Sequence, residues 1–182
     1  MNSKDFQNNI YSLLQVKLDG LEVKNEWVAF PGLPNQYSPR VDIAVGPFAI
    51  EQTLIAEYNS LIIQDDIRSF LSCLYNFHRE NVPNEIVISD FDDLINKNQN
   101  ARCFIAFEIE NINSKKHIMG SIINAASLGR VGIGIAYSEN ALKTFTRILN
   151  YLSFLKQVEK NTYDTTNFLI ITKEQMVAIL NN

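Results

Sequence analysis

The chain has 182 residues, and its 16 Lys and Arg stand against 20 Asp and Glu, a formal charge of −4. That balance argues against a protein coating nucleic acid through a broad basic surface, while leaving room for an enzyme with one positive groove and a carboxylate-held metal. With 46% apolar and 20% charged residues, the composition is that of a globular chain, and its length suits one compact domain that needs no disulfide staples.

No stretch approaches the roughly 18 consecutive apolar residues of a membrane span. Asn8, Asn9, Ser12, Gln15 and Lys17 interrupt any signal-peptide core. The expectation is a cytoplasmic chain without membrane contact. Cys73 and Cys103 lack paired-motif spacing, and apolar neighbours point to buried thiols.

In chain order, Phe6, Ile10, Leu13 and Leu14 form a helical stripe over 5–15, with Ser3 or Asp5 as cap. Residues 21–30 alternate loosely and hold a short strand. The segment 31–39, with three prolines and a glycine, is loop. Arg40 to Phe48 reads as a strand with Val41, Ile43 and Val45 on one side, ended by Gly46-Pro47.

Residues 49–80 read as helix, in two pieces broken near Asn59-Ser60, with Ile67, Phe70, Leu71 and Leu74 as a stripe. Ile86-Val87-Ile88 is a short extended run, and 90–95 a helical turn. Arg102 to Glu110 is the most strand-like segment, and its apolar start predicts an interior position. A helix over 114–128, a strand over 130–137 after a helix-terminating Gly129, and a long helix over 139–156 follow. Phe168 to Ile171 is the last strand, and Thr172 with Gln175 forms a capping box for a closing helix. The strand–helix–strand order of the second half favours parallel pairing in a mixed sheet with helices on both sides.

The chemistry centres on carboxylates in apolar strands. Glu108 and Glu110 are two apart, so they leave the strand from one face. Charged carboxylates there need a metal ion or cationic partners if buried; the plain alternative is a strand end that emerges into solvent. Asp42 is a third such acid, between Val41 and Ile43. Carboxylates converging from two strands, with the Ile109 carbonyl between the glutamates, make a hard oxygen site of the kind Mg²⁺ takes. The two histidines, His78 and His117, lack zinc-hydrolase spacing. Gly129, Gly132 and Gly134 lack the ending of a phosphate loop and fit close backbone packing instead.

Asn111 to His117 is polar and basic and leads into a helix whose start lies near the acids. Lys115, Lys116 or His117 can contact a phosphate there, with Ser121 and Asn124 further along the same face; a solvated lysine pair is the alternative. Lys143, Arg147, Lys156 and Lys160 give the long helix a basic bias. Glu22 and Glu26 are further acids near the first helix.

The stretches Ser38-Pro39-Arg40-Val41-Asp42 and Ala106-Phe107-Glu108-Ile109-Glu110 resemble the motifs of the PD-(D/E)XK nuclease superfamily, over roughly 5–48 and 102–172. The resemblance implies a restriction-endonuclease-like fold over 1–182, with a largely helical insertion at 50–95. It implies Mg²⁺, with Mn²⁺ as substitute, bound by Asp42 and Glu108, and hydrolysis of DNA phosphodiesters. Glu110 stands where the family usually has Lys, so Lys115, Lys116 or His117 takes that lysine's part, while Glu110 positions water or completes a second metal site. A homodimer or a partner subunit is a further implication. Two other readings stay open: a catalytically inactive relative serving as a binding or assembly module, and an unrelated α/β protein with wet acids.

Overall fold

A computed structural model describes the whole chain except residues 1, 31, 33, 34, 36, 161, 162 and 182; part of the 31–39 loop therefore lies outside the described residues. Helix α1 (Ser3–Lys17) is followed by strands β1 (Val23–Val28) and β2 (Arg40–Val45). Three helices come next: α2 (Ile55–Ile62), α3 (Asp65–Asn81) and α4 (Phe91–Asn96). The chain then alternates through β3 (Cys103–Glu110), α5 (Lys115–Leu128), β4 (Gly129–Ala136), α6 (Glu139–Gln157), β5 (Phe168–Thr172) and α7 (Lys173–Leu180).

The five strands lie in the order β1-β2-β3-β4-β5. β2 pairs antiparallel with β1 on one side and β3 on the other, whereas β3, β4 and β5 run parallel through the crossover helices α5 and α6. The architecture is a mixed α/β sheet with helices on both faces. Phe6, Ile10 and Leu14 of α1, Phe70, Leu71 and Leu74 of α3 and Met176 of α7 pack with Ile105, Phe107, Ile133 and Ile135 on one face. Ile118, Ile122 and Ala125 of α5 and Phe145 and Leu149 of α6 pack with Ala44, Ala106 and Ile170 on the other.

Small residues let α5 sit close. A Cβ on Gly132 would lie 2.7 Å from the Ala125 carbonyl carbon, so only glycine admits the helix at this height. Gly129 has φ −85° and opens β4 rather than closing α5 in a left-handed turn.

Several local expectations shift. Asn2, not Ser3 or Asp5, caps α1 by accepting from the Asp5 amide. The helical break falls at Ile63-Gln64, after Asn59 rather than at it. Ile86-Val87-Ile88 joins no strand, and Val87 is exposed. Cys73 is exposed although its neighbour Leu74 is fully buried, because consecutive helical positions point about 100° apart; Cys103 is buried. The Thr172–Gln175 capping box is present at α7. Among the described residues no helix is long and apolar enough to cross a membrane.

Candidate functional site at the end of β3

The site exists because β2 and β3 part company. Their ladder runs Val45↔Ile105, Ala44↔Ala106 and Ile43↔Phe107, and then stops. The next outward amide on β3, that of Ile109, finds no backbone carbonyl and donates instead to Asp42 Oδ2 at 2.7 Å. The Asp42 carbonyl in turn accepts from Gln7 Nε2 of α1 at 3.0 Å. On β1 the backbone turns at Glu26, where φ is 50°. Glu26 is held by Lys4 at 2.6 Å and Arg40 Nε at 3.2 Å. Asp42 therefore stands in a strand of apolar residues partly because its side chain completes the hydrogen bonding of a splayed sheet.

The splay opens a cavity of about 620 Å³. Asp42, Glu108, Ile109 and Glu110 line it from the sheet. Lys116, His117, Gly120, Ser121 and Asn124 line it from α5. A Cβ on Gly120 would meet nothing, so this wall is open. Ile109's N–H and C=O leave β3 on the same side, towards the splay, which directs that carbonyl at the cavity. Tyr37 and Arg40 form the opposite rim. Lys115, the first residue of α5, is exposed and does not line the cavity.

The three acids differ in how they are satisfied. Glu110 is buried; its Oε1 accepts from Ser121 Oγ, and His117 Nε2 lies 3.4 Å away. Burial raises its pKa, against the opposing pull of Ser121 and His117. Asp42 is raised by burial too, offset in part by the Ile109 amide. Glu108 is 7% exposed. No hydrogen bond or ion pair reaches its carboxylate among the described residues, and since none of their fully buried side-chain oxygens lacks a partner, its oxygens meet the open cavity. Burial first, then the charges of Asp42 and Glu110, push it well above the ordinary carboxylate range. The three carboxylates thus face one cavity and repel one another.

Among the described residues no group of three or more His, Cys, Asp or Glu side chains converges into a cage that could hold a metal ion by itself. An ion that keeps its water and takes only one or two carboxylates, as Mg²⁺ can, would not require such a group. Arg40 is a site residue that the sequence reading passed over. The available signal was its position two before Asp42 on one strand, which puts both side chains on one side. Tyr37, Asn111 and Ser114 also line the cavity; they lie in loops, where spacing carries no such signal.

The basic residues of α6 are elsewhere: Lys143 pairs with Glu139 at 2.6 Å, and Lys156 with Asp164 at 3.1 Å. Glu22 pairs with Lys24 at 3.3 Å and does not line the cavity. No protein-family model matches the chain, and neither the curated proteins nor the solved structures yield a match to it.

Proposed function

We propose that this protein is a Mg²⁺-dependent nuclease of the restriction-endonuclease-like type, hydrolysing phosphodiesters of DNA. The observation that carries the reading is Glu108: a largely buried side chain whose carboxylate, without a hydrogen-bonding partner among the described residues, opens only to a cavity rimmed by Arg40, Lys116 and His117 and is repelled there by Asp42 and Glu110. Such an arrangement is costly unless a cation enters it. The strand order adds support, with Asp42 on the second strand, the two glutamates on the third, and a helix and parallel strand following.

In this reading Asp42, Glu108 and the Ile109 carbonyl hold the ion, with Mn²⁺ as a substitute. The ion supplies a Lewis acid that lowers the pKa of a bound water. Arg40 and Lys116 face the same space and neutralise the non-bridging phosphate oxygens. Glu110, fixed by Ser121, holds the His117 ring at the rim and orients the attacking water. Lys116, which lines the cavity where Lys115 does not, acts in this reading for the lysine that the Glu-x-Glu motif lacks.

Asp42→Asn is the informative variant, because the amide oxygen still accepts from Ile109 while the charge is gone. With Mg²⁺ or Mn²⁺ and supercoiled, linear or single-stranded DNA, cleavage should fall by about a thousandfold, as several kcal/mol of metal-borne stabilisation implies. Cleavage left intact by that change would refute the mechanism.

One observation favours a second reading, a non-catalytic binding module. Asp42 and Glu110 already serve protein groups, through Ile109 and Ser121. In that case Mn²⁺ titrated into the protein would find no site that Glu108→Gln removes.

A further inference from the structure

A second cavity, of about 400 Å³, lies at the same end of the sheet, where the parallel strands finish. Phe6 of α1, Tyr137 just past β4, and Lys173, Glu174 and Val177 of α7 line it. Its walls are apolar and aromatic. Tyr137 meets Phe6 edge-on, with ring centroids 5.6 Å apart. The Lys173 ammonium lies 4.1 Å from the Tyr137 ring centroid. That lysine is a third exposed, and among the described residues its one ion-pair contact is with Glu174 at 3.8 Å.

The two cavities open on opposite faces of the sheet, the acidic one towards α5 and this one towards α1 and α7, and the strand ends between them carry two hydrogen bonds. The Tyr137 amide donates to the Glu110 carbonyl at 2.9 Å. Asn111, which lines the acidic cavity, donates to Ser3 Oγ at 2.8 Å, one turn before Phe6 on α1. Crossing from one cavity to the other means passing over Asn111 and the carboxyl ends of β3 and β4. Crevices at the carboxyl ends of parallel strands are where open α/β sheets receive ligands.

Resting on the nuclease reading, we propose that this second cavity is a nucleobase subsite for a single-stranded substrate. A base of the strand whose phosphate occupies the acidic cavity stacks on Tyr137, and Lys173 moves from the ring face to the adjoining phosphate. An aromatic ring with a mobile cation beside it is the combination that binds single strands without reading sequence. The cation already over the ring marks the face that a base would take. A localised subsite of this kind also suits a chain whose net charge of −4 argues against binding through a broad basic surface.

The test uses a fluorescein-labelled short single strand, Ca²⁺ in place of Mg²⁺, and fluorescence anisotropy on the full chain. Tyr137→Leu, which keeps apolar bulk against Phe6, should weaken binding about tenfold, the loss of one stacked base. Lys173→Ala should weaken it several-fold and lower the salt slope by about 1. A strand of the same length built from abasic sugar-phosphates should bind the wild type and Tyr137→Leu alike. Unchanged affinity in both variants overturns the subsite, as does an equal loss on the abasic strand. If Tyr137→Leu does not fold, Lys173→Ala decides, since it alters a partly exposed side chain. Retained loss of cleavage in Asp42→Asn would then leave the nuclease reading standing without the subsite. A wild type that binds no strand at all overturns both.

Discussion

Two buried charges, Arg130 and Glu108, stand on neighbouring strands and are treated in opposite ways. Arg130, near the start of β4, is wholly buried. Its Nε donates to the Ile95 carbonyl at 2.6 Å and its Nη1 to the Asn98 carbonyl at 3.2 Å. Its Nη2 donates to Asn59 Oδ1 and Asn96 Oδ1, both at 2.9 Å. Four of the guanidinium's five N–H donors meet neutral oxygens, two of them from α4, whose carboxyl-terminal end favours a cation. It staples the helical segment between β2 and β3 to the sheet. Glu108, near the end of β3, has neighbouring acids where Arg130 has acceptors. A satisfied buried charge reads as architecture; one left facing its own kind across a cavity reads as a place for something else to bind.

The contrast predicts opposite responses to neutralisation. Arg130→Ala should lose about 3–5 kcal/mol in urea unfolding, because the cavity and the stranded oxygens of Asn59, Asn96 and Ile95 add together. A loss under about 1 kcal/mol would remove the distinction drawn here.

A pH effect of intermediate size comes from His78. Its Nδ1 accepts from the Ile170 amide at 2.9 Å, and burial lowers its pKa to about 4 from 6.5. The unfolded chain therefore binds a proton that the folded one refuses. Stability should fall as pH drops from 6.5 towards about 4, by about 3 kcal/mol for this group alone. His78→Gln should flatten that slope in denaturant titrations across the window. An unaltered slope would mean that other groups set it.

The smallest effect is expected at Glu108 itself. Glu108→Gln should stabilise the metal-free protein by roughly 1–2 kcal/mol above neutral pH, the reverse of Arg130→Ala. A carboxyl with a raised folded pKa contributes stability below its ordinary pKa and loses it as pH rises through the raised value. Added Mg²⁺ should raise the melting temperature of the wild type and leave the Gln variant where it was. Equal responses to Mg²⁺ would place the ion elsewhere.

Much of this was legible because it is local. A two-residue spacing sets Glu108 and Glu110 on one face, a three-residue offset builds the Thr172–Gln175 cap, and the helix after Asn111 starts beside the acids. What stayed hidden depends on distant partners. In the run Gly129-Arg130-Val131 nothing announces that the arginine will be sealed among three asparagines and α4. Asn59 reads as a helix break until its side chain is seen on Arg130, 71 positions away. Asp42 reads as a metal ligand or a solvent-facing acid, because no sequence pattern shows that β2 and β3 will splay and leave the Ile109 amide to it. Ile86-Val87-Ile88 has strand composition yet meets no free ladder.

The outer margin of β5 has a consequence for how copies of this chain behave together. There Ile170 gives its amide to His78 and its carbonyl to Asn81 Nδ2 at 3.0 Å, so side chains of α3 occupy the bonds that a neighbouring molecule's strand would seek. At the opposite margin the left-handed Glu26 interrupts β1. The sheet is thus fenced at both borders. On the β5 side one of the two bonds rests on an imidazole nitrogen, so acid that protonates it would withdraw that bond while Asn81 keeps the other.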